Sequence, residues 1–134
     1  MDKQLSIMLI DDNVTDLFLH ERFIAHENIA YEITSFSLAE KALDYLAEQK
    51  TEEGLPDLIL LDIQMPLMNG FDFLHKYEEL VMTNKCPVVM VSSTLDFGDI
   101  NRAKANPLVL ELLEKPLNMK VLKETLMANG ILKA

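Results

Sequence analysis

The chain has no tryptophan, one cysteine, four glycines and five prolines in 134 residues, and its 12 lysines and arginines are outnumbered by 22 acidic residues. Each shortage excludes something. The lone Cys86 has no partner for an internal disulfide, which agrees with a reducing compartment, and its place at the start of an apolar run reads as packing. With so little glycine and proline, no low-complexity tract, linker or internal repeat is visible. A formal net charge of −10 is the wrong sign for gripping a nucleic-acid backbone or an anionic lipid surface. No apolar run approaches the roughly 20 residues that a membrane helix needs. The opening segment MDKQLSIML carries neither a basic leader nor a small-residue cleavage site. A soluble, cytoplasmic chain that binds neither membrane nor nucleic acid is therefore expected. Charge runs such as Glu52-Glu53 and Glu78-Glu79 read as solvated surface.

What is present is a regular alternation. The length suits one well-buried core, so residues 1–134 are expected to form a single domain, with its core over about 5–128 and no output domain. Ser6 to Ile10 reads as a strand, followed by a helix from about Val14 to His26 with Asn13 as N-cap. Tyr31 to Phe36 is the second strand. Ser37-Leu38-Ala39-Glu40 then has the spacing of a capping box, opening a helix that carries Leu38, Ala42, Leu43 and Leu46. A polar loop from Thr51 to Pro56 leads to Leu58–Leu61, too uniformly aliphatic for an amphipathic helix and suited to a central strand covered on both faces. Gly70 begins a third helix with Phe71, Leu74, Tyr77 and Leu80 or Val81 on its inner side. Val88 to Val91 is the fourth strand, and a short helix from about Asp96 to Ala105 ends at the Asn106-Pro107 breaker. Leu108 to Leu113 is the fifth strand, and Asn118 caps a last helix bearing Val121, Leu122 and Leu126 that stops near Asn129-Gly130. Five such βα units imply an α/β fold: a five-stranded parallel sheet with right-handed crossovers and helices on both faces.

Chemistry collects at the strand ends. Asp11-Asp12 follow the first strand, Asp62 the third, Ser92-Ser93 the fourth and Lys115-Pro116 the fifth. In open α/β sheets sites lie outside the carboxyl ends of the strands, where strand order reverses. With the order 2-1-3-4-5, taken by fold analogy, the acidic pair faces Asp62. Two unit charges about 4 Å apart repel by roughly 4 kcal/mol at an effective dielectric of about 20, so a cation belongs among them. An all-oxygen donor set favours a hard ion such as Mg2+ over a soft metal. His20, His26 and His75 lack metal-ligand spacing and are expected at the surface, and Met90 is expected to fill space in its strand.

The Asp-Asp pair, the run PDLILLDIQMPLMNGF from Pro56 to Phe71, the hydroxyl after VVMV and the terminal Lys-Pro together resemble the receiver domain of two-component response regulators. The resemblance covers about residues 5–128. It implies that Asp62 accepts a phosphoryl group from a histidine kinase or a histidine phosphotransfer protein, with an unknown downstream protein as the output partner. A carboxylate suits this, being ionised at neutral pH without a base to activate it. By the same resemblance, Asp12, Asp62 and the backbone carbonyl of Gln64 bind Mg2+, and Asp11 acts mostly through a water. Lys115 pairs with Asp62 and then with the phosphoryl group, and Ser92 is the switch hydroxyl. Ser93 keeps the approach to Asp62 open, Gln64 and Thr94 occupy positions that influence hydrolysis, and Lys115-Pro116 is cis. In the loop Met65 to Gly70, the proline fixes one φ angle and the glycine is expected to take a conformation costly for other residues.

Two features depart from the family pattern. Leu112 replaces the usual tyrosine or phenylalanine three residues before the lysine, so signalling by ring rotation is not expected there, and Asn106-Pro107-Leu108 replaces a Gly-rich turn. Other readings fit less well. A Mg2+-dependent aspartyl-phosphate phosphatase generally has an acidic residue two positions after its nucleophile, where this chain has Gln64. A flavin carrier of related fold needs a phosphate loop that Asp11-Asp12-Asn13 would repel. A pseudo-receiver that binds partners without phosphorylation would not need this full set of side chains. The chain is thus expected to be no enzyme beyond its own phosphorylation and dephosphorylation.

Overall fold

Five parallel strands in the order β2-β1-β3-β4-β5 form the sheet of this computed structural model, which describes residues 4–49, 51, 54–80 and 86–133. In chain order the elements are β1 (Leu5–Ile10), α1 (Val14–Glu27), β2 (Ala30–Phe36), α2 (Ala39–Glu48), β3 (Leu58–Asp62), α3 (Gly70–Glu78), β4 (Val88–Ser92), α4 (Phe97–Ala105), β5 (Val109–Glu114) and α5 (Met119–Ala128). Glu52, Glu53 and Val81, assigned above to a loop, a solvated charge run and a helix face, lie outside the described residues.

The central strands are buried along their whole length because both faces are covered. Alternation along each strand then divides the interior into two cores. Ile7, Leu9, Leu58, Leu60, Val89 and Val91 pack with Leu17 and Ile24 of α1 and with Leu122 and Leu126 of α5. Met8, Ile10, Ile59, Leu61, Val88 and Met90 pack with Ala42 and Leu46 of α2, with Phe73 and Tyr77 of α3, and with Ala103 of α4. Met90 is fully buried, as its place in β4 leads one to expect.

Helix starts agree with the capping signals in four of the five helices. Asn13, Asn69, Asp96 and Asn118 each accept a hydrogen bond from a backbone N–H in the first turn, and Asn69 and Asp72 complete a reciprocal capping box. The exception is α2. Ser37 does not cap it: Leu38 is the extended cap residue, and its carbonyl accepts from the N–H groups of Lys41 and Ala42, so the helix begins one residue later than its sequence spacing suggests. That shift turns Leu38 outward and places Ala39 in the core. Val121 is likewise exposed, because Leu122 and Leu126 already cover the inner side of α5.

His20 is buried, contrary to its expected surface place. It follows Leu17 by three residues and precedes Ile24 by four, which sets it on the inner stripe of α1. His26 and His75 are exposed.

Candidate phosphoryl-transfer site

The parallel register delivers the charged groups side by side. Ile10 pairs with Leu61, so the next residues, Asp11 and Asp62, leave the paired strands as neighbours. Asp62 is in turn the partner of Val91, and Ser92 of Glu114. Backbone hydrogen bonds fix the exits: Asp11 N–H donates to the Phe36 carbonyl at 3.1 Å, Ile63 N–H to Val91 at 3.1 Å and Lys115 N–H to Ser92 at 2.8 Å.

Asp11, Asp12 and Asp62 each direct a carboxylate oxygen into one space, all within 4.8 Å of one another, with Asp11 and Asp62 buried and Asp12 exposed. Lys115 reaches this group across a cis Lys115-Pro116 peptide. Its Nζ lies 2.7 Å from Asp11 Oδ2, 2.9 Å from Asp16 Oδ2 and 3.2 Å from Asp62 Oδ1. The amine donates to Asp16, and Asp11 and Asp62 lie against it as ion pairs. Asp11 Oδ1 accepts from Asn13 N–H at 2.9 Å, and buried Asp11 Oδ2 has the Lys115 ammonium beside it. Three converging carboxylates carry more negative charge than one amine offsets, and their all-oxygen donor set fits a hard divalent cation such as Mg2+.

Asp16 was not apparent from the strand-end pattern. It lies inside the first turn of α1 rather than at a strand end. Its signal was the Asn13-x-x-Asp16 spacing, which fixes the turn by a hydrogen bond from Asp16 N–H to the Asn13 side chain at 3.1 Å.

These contacts perturb the ionisations. Burial, reinforced by the charge of Asp11, pushes Asp62 up to about 7 against the opposing pull of Lys115, so without a cation it is not fully ionised at neutral pH, contrary to the expectation from its ordinary value. Burial acts to lower the Lys115 amine, but its contacts with Asp11 and Asp16 outweigh that and raise it above the ordinary lysine value. Lys115 therefore stays charged. Burial lowers His20, with Asp11 opposing, and so favours a neutral imidazole.

The rim is held by hydroxyls and one amide. Ser92 Oγ, fully buried, donates to the Thr94 carbonyl at 2.6 Å and accepts from Thr94 N–H at 3.2 Å. Gln64 Nε2 donates to Thr94 Oγ1 at 2.9 Å, and Ser93 Oγ donates to Gln64 Oε1 at 3.2 Å. The side chains of Gln64, Ser93 and Thr94 thus bridge the β3–α3 and β4–α4 loops.

Gly70 corrects its expected role. Its φ is not positive; among the described residues Leu67, at φ 69°, takes the left-handed conformation in that loop. What Gly70 supplies is room, since a Cβ there would sit 2.7 Å from the Asp62 carbonyl oxygen and 2.9 Å from Met90 Cε. Its N–H donates to the Ile63 carbonyl at 2.8 Å, drawing α3 against the strand that carries Asp62.

The sequence pattern of the response regulator receiver domain matches residues 7–127. The chain belongs to the receiver domain family of response regulators. This receiver is 36% identical to a response regulator receiver protein from Dyadobacter fermentans DSM 18053, with a TM-score of 0.80 over 92% of this chain and 95% of that one. It superimposes on a two-component response regulator from Cytophaga hutchinsonii with a TM-score of 0.87 at 29% identity, over 96% and 98% of the two chains. The rice (Oryza sativa subsp. japonica) two-component response regulator ORR26 is 30% identical over 119 residues, covering 89% of this chain and 19% of its own length. Against that relative and two from Arabidopsis thaliana, the receiver spans only 19% to 29% of the longer proteins. Membership places it in two-component signalling. Among the described residues no helix is long and apolar enough to cross a membrane.

At the usual position of the family's moving ring, Leu112 is half-buried and lines a cavity of about 240 Å³ between α4 and β5, together with Leu95, Ile100, Ala103 and Val109. The Asn106 side chain builds the unusual turn before β5, accepting from Leu108 N–H at 2.9 Å and donating to Glu78 Oε1 at 2.9 Å.

Proposed function

We propose that this receiver is a phosphorylation-operated switch in which Asp62 accepts a phosphoryl group from a histidine kinase or a histidine phosphotransfer protein. The phosphorylated form then binds a downstream protein or passes the group onward. The observation that carries this reading is the Lys115 amine, 3.2 Å from Asp62 and 2.7 Å from Asp11 within a group of converging carboxylates. A permanent positive charge beside a carboxylate at the carboxyl end of the sheet is what a loose phosphoryl-transfer transition state requires.

In the transfer step an Asp62 carboxylate oxygen bonds to phosphorus as the phosphorus–nitrogen bond to the donor histidine breaks. The imidazole leaves with the bonding pair. Asp62 becomes an acyl phosphate, and Lys115 redirects a donor to a phosphoryl oxygen. Asp11, Asp12, Asp62 and the Gln64 backbone carbonyl would hold Mg2+, which supplies charge neutralisation between Asp62 and the phosphoryl oxygens when bound. Ser92 gives up its 2.6 Å bond to the Thr94 carbonyl and donates to the phosphoryl group instead. That exchange frees the Thr94 carbonyl and draws the β4–α4 loop inward. Within this domain the reaction is confined to its own side chain.

The test is phosphotransfer from a phosphorylated histidine phosphotransfer protein, followed on a phosphate-affinity gel. The expected retarded band forms in Mg2+ and is lost in chelator and in Asp62→Asn. An equal band in Asp62→Asn, or none from any donor, would overturn the reading.

A further inference from the structure

We propose that Asp16 is a positioning residue that holds the Lys115 amine in a resting orientation and thereby competes with a phosphoryl group on Asp62 for it. The inference rests on the reading of Asp62 as acceptor. The amine donates to Asp16 at 2.9 Å while also lying 2.7 Å from Asp11 and 3.2 Å from Asp62. An ammonium has three donors in fixed mutual directions, so aiming one at α1 constrains the other two.

Asp16 stands apart from the three carboxylates that converge as a cation site. Its side chain is 28% exposed, against 4% for those of Asp11 and Asp62. Water can therefore solvate Asp16 when the amine leaves it, which makes it the partner Lys115 gives up at least cost. Its place is also rigid, because the Asn13 cap fixes the first turn of α1 and the amine reaches it from a residue 99 positions away. A charge-assisted hydrogen bond that is present at rest and absent in the phosphorylated state stabilises only the resting state.

The test compares wild type, Asp16→Ala and Asp16→Asn for binding of beryllofluoride, a phosphoryl mimic, in saturating Mg2+. The Asn variant keeps a neutral acceptor and the helix start. Glu40→Gln removes an equal charge from the exposed start of α2 without touching Lys115. Expected are a several-fold tighter apparent Kd in Asp16→Ala, a smaller gain in Asp16→Asn, no change in Glu40→Gln and an unchanged Mg2+ Kd. The 15N resonance of the Lys115 ammonium in the metal-free Asp16 variants should also move toward its beryllofluoride-bound position. A folding defect in the Ala variant leaves the Asn variant to decide. Equal or weaker beryllofluoride binding by Asp16→Asn, with wild type binding normally, would overturn the role of Asp16 alone. No binding by wild type would overturn the acceptor reading and this inference with it.

Discussion

Gln64 and Thr94, thirty residues apart in the chain, are joined by a 2.9 Å hydrogen bond across the mouth of the site. Both side chains are exposed and follow Asp62 and Ser92 by two residues, so the bond ties together the loops beside the site without being part of the core. Breaking it by Gln64→Ala should open a path for water to the acyl phosphate. One hydrogen bond is worth about 1 kcal/mol, so hydrolysis should accelerate roughly fivefold. Loss of phosphoprotein after removal of the donor measures it, with stability unchanged in a thermal melt.

Asp62 should make the metal-free fold less stable as pH rises through the acid range. The folded protein holds this proton up to about 7, whereas an unfolded aspartate releases it near 3.8, so unfolding releases a proton between those values. Stability then falls with rising pH across that window and levels off above it. Asp62→Asn should remove this dependence and raise stability at pH 8 in chelator by roughly 1–3 kcal/mol. Urea denaturation of both proteins at pH 5 and pH 8 gives the comparison.

Lys115 has the same sign at the basic end of the scale. Its folded value lies above the ordinary 10.5, so its stabilisation is complete at neutral pH and is lost only as pH rises beyond that value. Replacing it by Met leaves Asp11, Asp16 and Asp62 without their shared counter-ion, and the loss should reach about 3–5 kcal/mol at pH 7.5 in chelator. Saturating Mg2+ should restore part of it, because a cation held by carboxylates binds the folded chain. Denaturation midpoints with and without Mg2+ measure both effects.

Gly70→Ala should be costly although the conformation suits alanine. The new methyl would meet the Asp62 carbonyl oxygen at 2.7 Å and Ile63 Cα at 3.0 Å, both backbone atoms that can yield only by moving the strand end. A destabilisation of roughly 1–3 kcal/mol is expected, with slower phosphorylation from a displaced nucleophile. Chemical denaturation and the initial rate with acetyl phosphate test the two parts separately.

Much of this was legible in the sequence because the fold is built from locally consistent signals. Short aliphatic runs such as Leu58–Leu61 can be buried only as central strands, and Asn13, Asp96 and Asn118 mark helix starts by their own side chains. The convergence of Asp11, Asp12 and Asp62 on one sheet edge follows from strand order and register. What sequence did not reveal depended on contacts between elements. Ser37 has capping spacing, but the chain extends through Leu38 before turning, and the helix starts late. His20 looks like surface until α1 is packed with Leu17 and Ile24 inward. The role of Gly70 depends on the Asp62 carbonyl beside it, and that of Asp16 on a lysine at the far end of the chain.

In the proposed reading Asp62 is the residue that carries the phosphoryl group. Reductive trapping tests it most directly: the receiver is incubated with acetyl phosphate and Mg2+, treated with borohydride to convert an acyl phosphate to its alcohol, and mapped by peptide mass spectrometry. One modified residue, Asp62, is expected, with the modification lost in chelator. Modification at Asp11, Asp12 or Asp16 instead, or an unmodified Asp62 peptide under conditions that trap another receiver, would contradict it.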